Sequence, residues 1–231
     1  MSGHSKWATT HRQKAVIDSQ RSKEFSKLSR LITVAARQKG GDISSNFSLR
    51  MLVEKAKDCS MPKDNIDKAI KKGIGEDGDE NFEELIYEAI GPFNTQFIVK
   101  CLTDSRNRTA SDIRYLFSKF GGAMSSVAWN FEQRGVLETI QNINDYELDL
   151  IENGALDIQK ESDSFIIYCD VKDLQRLKDF FDNKSIKTES AEIKYVPKDC
   201  LDLNEEQTQT IEKIVDEIDA NDDIVDWWGN F

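Results

Sequence analysis

The sequence lacks a long apolar segment. It contains no run of about eighteen hydrophobic residues, the length that a membrane-spanning helix requires. Its charged N-terminus is not followed by the apolar stretch of a secretory signal. A folded pattern begins within the first twenty or so residues, sooner than a transit peptide allows. We therefore expect a cytoplasmic protein with no membrane partner.

Histidine is rare, and the cysteines are isolated. The two histidines, His4 and His11, have no carboxylate or thiol at ligand spacing, so no metal site is predicted. The four cysteines never form a CxxC pair, and Cys101 and Cys169 lie within apolar, strand-like runs. This pattern is typical of reduced, buried thiols in a cytosolic protein. No cofactor is expected.

Motifs of catalysis and nucleotide binding are missing. The chain contains no GxGxxG, GxSxG, P-loop or HExxH sequence. Paired acids such as Glu83 and Glu84 are ordinary on an acidic surface, and nothing in the sequence desolvates them. The sequence therefore predicts a protein that is not an enzyme and has no small-molecule substrate.

Charge, by contrast, is abundant and unevenly distributed. The first 75 residues hold 16 of the 31 Lys and Arg but only 7 of the 42 Asp and Glu, a net charge of +9. The remaining residues therefore carry −20. Because an acidic surface repels nucleic acid, any contact with a polyanion is predicted for the N-terminal segment.

Residues 22–38 have the pattern of one amphipathic helix that ends at Gly40-Gly41. Its apolar positions recur at three- and four-residue spacing: Phe25, Leu28, Leu31, Ile32, Ala35 and Ala36. On the opposite side lies a row of cations: Lys23, Lys27, Arg30 and Arg37. Such a row is either a solvated helix face or a docking surface for polyanions. The basic arm that precedes the helix favours docking.

Two shorter helices are predicted after a cluster of N-cap residues at 44–46. The first contains Phe47 and Ala56, and the second covers 63–72, with Gly73 as its C′ residue. With 22–38 they make a basic three-helix head, residues 1–75. Its predicted nucleic-acid-binding residues are Lys6, Arg12, Lys14, Arg21, Lys23, Lys27, Arg30, Arg37, Lys39, Lys63, Lys68, Lys71 and Lys72.

Residues 73–80, with three glycines and four acids, predict a linker that hinges the head. Beyond it the periodicity is that of strands. Strands are predicted at 82–90, 96–102 and 127–131, with a helix that starts at Asn107 or Thr109 and ends at Gly121. Near the C-terminus a helix at 205–218 precedes a strand at 224–228, in which Trp227 and Trp228 must face opposite sides.

Residues 134–196 predict the order βαββαβ, with strands at 136–140, 155–160, 165–169 and 191–196 and helices at 145–152 and 174–181. This is the ferredoxin-like order, which closes on itself. The fold class is therefore predicted as α+β multidomain: a helical head, a discontinuous α/β domain of residues 82–132 and 197–231, and an inserted ferredoxin-like domain at 134–196.

Short motifs along the whole chain match those of a known family: Gly3-His-Ser-Lys-Trp7, Gly40-Gly-Asp42, Met61-Pro-Lys-Asp-Asn-Ile66, Ala69-Ile-Lys-Lys-Gly73, Gly91-Pro92, Leu102-Thr-Asp104, Asn107-Arg-Thr109 and Ser190-Ala-Glu-Ile193. Through these motifs the chain resembles the YebC/PmpR family. The resemblance implies three domains, no catalytic activity and a role in gene expression. Bacterial members are described as probable DNA-binding transcriptional regulators, whereas others, including mitochondrial translational activators, act on ribosomes.

We therefore expect a non-enzymatic, nucleic-acid-binding regulator that acts as a monomer and grips phosphates through its head. Transcription regulation through DNA is the first interpretation. The alternative is a translation factor that binds ribosomal RNA through the same head, since no residue set reads base edges. A third interpretation is an acidic adaptor whose C-terminal part binds basic proteins.

Overall fold

A computed structural model describes residues 18–76 and 82–231, with side chains from residue 23 onward in the first range. The predicted binding residues Lys6, Arg12 and Lys14 lie outside the described residues, as does the side chain of Arg21. Of the predicted linker, residues 77–80 also lie outside. Among the described helices, none has the length and apolarity needed to cross a membrane.

The head contains three described helices: α1 (Asp18–Lys39), α2 (Phe47–Asp58) and α3 (Lys63–Gly73). α1 is the predicted amphipathic helix, extended by four residues at its N-terminal end. Its predicted apolar stripe packs against both shorter helices. The core that they share contains Leu28, Ile32, Ala36, Leu49, Val53, Ala56, Ile66 and Ala69.

Asn46 joins α1 to α2. Gly40, with a φ of 90°, ends α1 in the left-handed region. The fully buried Asn46 side chain accepts a hydrogen bond from the Leu49 N–H at 3.1 Å, which caps α2 as predicted. Its amide also donates to the carbonyl oxygens of Ala35 at 2.9 Å and Gly40 at 2.8 Å. One side chain therefore satisfies both helix ends.

The prediction that Gly73 is the C′ residue of α3 is wrong. Gly73 is the last helical residue and is buried. A Cβ there would lie 2.4 Å from the carbonyl oxygen of Thr33 and 2.6 Å from Cβ of Ala36. Glycine is needed at this position because α1 and α3 approach so closely, while the left-handed turn is made by Gly75, at φ 87°.

The body comprises β1 (Glu83–Ile90), β2 (Gln96–Thr103), α4 (Arg106–Lys119), β3 (Ala123–Met124), α7 (Glu205–Ala220) and β8 (Ile224–Gly229). Its antiparallel sheet has the order β3-β1-β2-β8. α4 and α7 contribute to the core of the body, which contains Phe97, Val99, Ile113, Phe117, Ile211, Ile214, Ile218 and Phe231. Trp227 packs against this core, 6.2 Å from the ring of Phe97, whereas alternation turns Trp228 to the other face.

The predicted strand at 127–131 is wrong. Residues 128–130 form a 3-10 turn, and the strand that pairs with β1 is β3, two residues long. The turn forms because the Glu88 carboxylate accepts hydrogen bonds from the N–H groups of Val127 at 2.6 Å and Ala128 at 2.7 Å. These two donors are thereby removed from any strand ladder.

The elements between β3 and α7 build a second sheet. They are β4 (Phe131–Thr139), α5 (Glu147–Glu152), β5 (Ala155–Lys160), β6 (Phe165–Cys169), α6 (Leu174–Asn183) and β7 (Ser190–Pro197). The sheet order is β5-β6-β4-β7. Leu137, Leu150, Ile167, Leu177 and Phe181 are fully buried here. Contacts between Cα atoms divide the chain into two units, 1–131 with 197–231, and 132–196. The head and the body fall in the same unit, and the three predicted domain boundaries stay a prediction.

Candidate nucleic-acid interface

α3 presents its lysines to solvent. Lys63, Lys68 and Lys71 are exposed, and Lys72 is partly exposed, because Ile66, Ala69 and Gly73 take the buried side of the helix. Two acids, Asp64 and Asp67, share the exposed face, so the helix carries a net charge of +2. Lys39, at the end of α1, is also exposed. These lysines are the part of the predicted site that is open in the described structure.

The cationic row of α1 is placed differently. Lys23 donates from Nζ to the carbonyl oxygen of Ala220 at 3.3 Å, and Lys27 donates to that of Asp219 at 3.3 Å. Both acceptors belong to the last turn of α7, where carbonyl groups lack partners within the helix. Burial lowers the pKa of Lys27 below its ordinary value, and the neighbouring Asp219 and Asp222 oppose that shift without reversing it. The row therefore contacts the body.

Arg30 makes the most extensive of these contacts. Its guanidinium donates to the carbonyl oxygens of Leu102, at 3.4 Å, and Asp222. It also lies 3.7 Å from the carboxylate of Asp223, and 5.8 Å from the centre of the Phe82 ring. Only 19% of its side chain is exposed. A guanidinium placed in this way is committed to several acceptors at once.

Asp223 is the centre of a polar cluster beneath Arg30. Its carboxylate accepts hydrogen bonds from Thr109 at 2.8 Å, Arg108 at 3.1 Å and Thr103 at 3.3 Å. Burial is the largest single influence and favours the neutral acid. The hydrogen bonds from Thr109, Arg108 and Thr103 and the charge of Arg108 together outweigh it and hold the pKa of Asp223 below its ordinary value. Asp223 is therefore ionised at neutral pH.

The same cluster accounts for two of the sequence motifs. Thr103 is the last residue of β2 and Asp104 follows it, while Arg108 and Thr109 lie in the first turn of α4. We predicted 107–109 as the start of that helix, but α4 begins at Arg106, and its N-cap is Ser105. Arg108 and Thr109 face Asp223 instead of capping the helix, since Arg108 bridges the carboxylates of Asp104 and Asp223.

Val34 lies on the same side of α1 as Lys23, Lys27 and Arg30, the side that contacts the body. It is four residues after Arg30 and three before Arg37, so it continues the cationic row on the same side of the helix. It is buried, with 8% exposure, yet it is not a member of the head core. Arg37 is partly exposed. The row thus combines cations with one buried apolar residue, as expected of a face in contact with protein.

The structure brings together Lys23, Lys27 and Arg30 of the predicted site and leaves Lys39, Lys63, Lys68 and Lys71 on open surface. Asp223, Phe82 and the end of α7 were not predicted as partners of the row. The sequence contains a signal for these partners. The last turn of α7 has two acids, Glu217 and Asp219, and no basic residue, and Asp222 and Asp223 follow it. Among residues 18–76 and 82–231, no group of three His, Cys, Asp or Glu is arranged to hold a metal ion.

The fold and the site define a class of protein that combines a small cationic helical head with acidic α/β regions built on antiparallel sheets. Comparison with known proteins specifies it further. Residues 5–76 match the model of the TACO1/YebC protein N-terminal domain, and residues 82–231 match that of the TACO1/YebC second and third domain. The chain belongs to the TACO1/YebC family.

Relatives match over nearly the full length. A probable transcriptional regulatory protein of Carboxydothermus hydrogenoformans is 40% identical, over 100% of this chain and 98% of its own. Another, from Pelotomaculum thermopropionicum, is 38% identical over the same shares. The crystal structure of a conserved hypothetical protein from Aquifex aeolicus superposes with a TM-score of 0.84 at 37% identity, covering 95% of this chain and 93% of that one.

Proposed function

We propose that the protein is a non-enzymatic regulator of gene expression that binds nucleic acid through its basic head. The observation that carries this proposal is the concentration of positive charge, +9 in the first 75 residues, with exposed lysines on α3. The relatives named probable transcriptional regulatory proteins support the regulatory role. All thirteen predicted residues of the head stay in the proposed contact set, and the site of action is the cytoplasm.

Duplex DNA is the first proposed target and ribosomal RNA the second. Lysine contacts to phosphate provide affinity without reading sequence, so both targets suit the same surface. A comparison of a DNA duplex with a ribosomal RNA fragment of equal length, at several salt concentrations, distinguishes them. The nucleic acid that binds more tightly at physiological salt is assigned as the target of the head.

The direct test removes the open lysines. Lys63→Gln, Lys68→Gln and Lys71→Gln together should weaken binding and flatten the slope of log K against log salt by about 2 to 2.7, since each lost phosphate contact contributes roughly 0.7 to 0.9. The matched control changes Lys172, Lys184 and Lys187 to Gln, three exposed lysines of the second unit. If the two triple variants gave equal slopes, the exposed lysines of α3 would not belong to the binding surface.

We also propose the finer architecture. The second sheet has its strands in the spatial order second, third, first, fourth, counted along residues 131–197, and this order is that of a ferredoxin-like βαββαβ domain. In this proposal residues 134–196 are inserted into a discontinuous domain of residues 82–132 and 197–231, and the whole chain acts as a monomer.

A further inference from the structure

The C-terminal end of α7 is electrostatically incomplete by itself. A helix concentrates partial negative charge on its last carbonyl groups, and a basic residue in the last turn ordinarily compensates it. The last turn of α7 has none and instead contains Glu217 and Asp219. Asp222 and Asp223 follow immediately. Within the body, Lys119 of α4 pairs with Glu217, and Arg108 pairs with Asp223. The last turn itself supplies no cation for its carbonyl groups or for Asp219 and Asp222.

The head supplies the missing charge. Lys23 and Lys27 donate to the carbonyl oxygens of Ala220 and Asp219, which makes them capping residues supplied by another helix. Arg30 adds the ion pair with Asp223 and a carbonyl contact at Asp222. Three successive members of one helical row therefore meet one acidic helix end.

We propose that this acidic end of α7 and a nucleic acid compete for the cationic row of α1, so that the body is a built-in competitor of the head. The proposal rests on the proposed function, because it concerns access to part of the same surface. A phosphate brought to Lys27 or Arg30 in the docked form would also approach Asp219, Asp222 and Asp223, and like charges repel strongly at such distances. Lys63, Lys68 and Lys71 are exposed while α1 contacts the body, and they can make the first contact.

A carbodiimide tests the competition in the full-length protein, because it activates a carboxylate that an adjacent lysine amine then converts to an amide, without a spacer and with loss of the reagent as a urea. In the free chain at low salt, Lys27 should crosslink to Asp219 or Asp222. Adding a fluorescent single-stranded RNA or a DNA duplex should reduce that crosslink in step with the rise in anisotropy. The crosslink of Lys119 with Glu217, which lies within the body, should stay constant and serves as the internal control.

Three outcomes would overturn the proposal, and they differ from one another. Absence of the Lys27 crosslink from the free chain would remove the docking. A polyanion that binds without lowering the crosslink would remove the competition. If neither polyanion changed the anisotropy, the proposed function and the competition would both be overturned. The Lys27 crosslink in the free chain would still show that α1 contacts α7.

A pair of variants tests the same idea by affinity. Asp222→Lys places a like charge beside Lys27 and Arg30, while Asp202→Lys makes the same change near the other end of α7, about 24 Å away for a 16-residue helix. Both acids are exposed. If the docked form accounts for nine-tenths of the chain, opening it raises apparent affinity by up to about tenfold. Asp222→Lys should therefore bind RNA and DNA more tightly than Asp202→Lys, and equal affinities would overturn the competition.

Discussion

Asn46 illustrates how much of the head depends on one side chain. Its oxygen caps α2, and its amide donates to two carbonyl oxygens at the end of α1, within a fully buried position. A serine or aspartate would provide the cap alone. Because one buried side chain both accepts from the backbone of α2 and donates to two carbonyl oxygens, position 46 favours asparagine.

Replacing Asn46 by Ala should lower the free energy of unfolding of the head by about 2 to 4 kcal/mol, the sum of a lost cap at roughly 1 and buried acceptors left unpaired at roughly 1 to 3. Urea unfolding followed by circular dichroism measures the loss. Asn46→Asp is the matched comparison, since it keeps the cap but turns a carboxylate oxygen, which cannot donate, toward the carbonyls of Ala35 and Gly40. If Asp restored full stability, the contacts with Ala35 and Gly40 would contribute nothing.

The cysteines behave as the sequence predicts. Cys101 and Cys169 are buried, and all four thiols are free. Burial raises the pKa of Cys101 to about 12 and that of Cys169 to about 11, so both stay protonated near neutral pH. Apolar strand patterns are sufficient to predict this, because burial of a small thiol is decided by its own strand.

At the scale of elements, periodicity predicts what a segment buries in its own core. The strands β5 and β6 lie where the sequence predicts them, at 155–160 and 165–169, since each is a short apolar run bounded by turn residues. The strand predicted at 127–131 failed because its apolar residues are interrupted by a turn that a distant carboxylate, Glu88, holds in place. Hydrogen bonds from side chains far along the chain leave no trace in a local pattern.

The candidate site also depends on contacts between residues that are distant in the sequence, which a local pattern cannot predict. The pattern of α1 correctly indicates that Lys23, Lys27 and Arg30 point away from the head core. It cannot indicate what they contact, because Asp219, the acceptor of Lys27, and Asp222, one acceptor of Arg30, each lie 192 residues away in sequence. The three cations therefore looked like free surface in the sequence. The unbalanced acids at the end of α7 were the only local sign of a partner.

The packing of α3 on α1 gives a prediction for Gly73. Gly73→Ala should separate these helices, because its Cβ would meet backbone and Cβ atoms of α1 that cannot move aside. We expect a loss of roughly 1 to 3 kcal/mol in the unfolding free energy of the head, the usual cost of overpacking. Denaturant unfolding measures it. Gly75→Ala is the control: no atom lies within 4 Å of its added Cβ, and only the strain of its positive φ remains. A larger loss at Gly75 than at Gly73 would contradict the close-approach explanation.

At the scale of the whole molecule, elements that are far apart in the sequence pack together in the body. The body is completed only when α7 and β8 return to its sheet and core after residue 204. Residues 131–197, expressed alone, contain every strand of the second sheet and should unfold cooperatively, with a single transition in circular dichroism. Residues 82–131 expressed alone lack α7 and β8 and should stay unfolded. A cooperative transition for 82–131, or its absence for 131–197, would refute the inserted-domain architecture.

Charge also has a different meaning at this scale. The head carries +9 and the remaining chain −20. These charges alone indicate a nucleic-acid-binding head and an acidic part that takes no part in binding. The contacts of Lys23, Lys27 and Arg30 make the acidic part a participant. The interpretation of the acidic part as an adaptor for other basic proteins stays a prediction.

The capping of α7 by α1 also has a consequence in time. During synthesis the head leaves the ribosome first, and the residues that receive Lys23 and Lys27 are made about 190 residues later. At typical elongation rates of about 5 to 20 residues per second, that interval lasts on the order of ten to forty seconds. Throughout it Lys23 and Lys27 lack the acceptors that α7 later provides, and the ribosome's own RNA is close by. A chain that stops before Asp219 never closes the contact, so an incomplete product differs from a finished one in surface charge as well as in length.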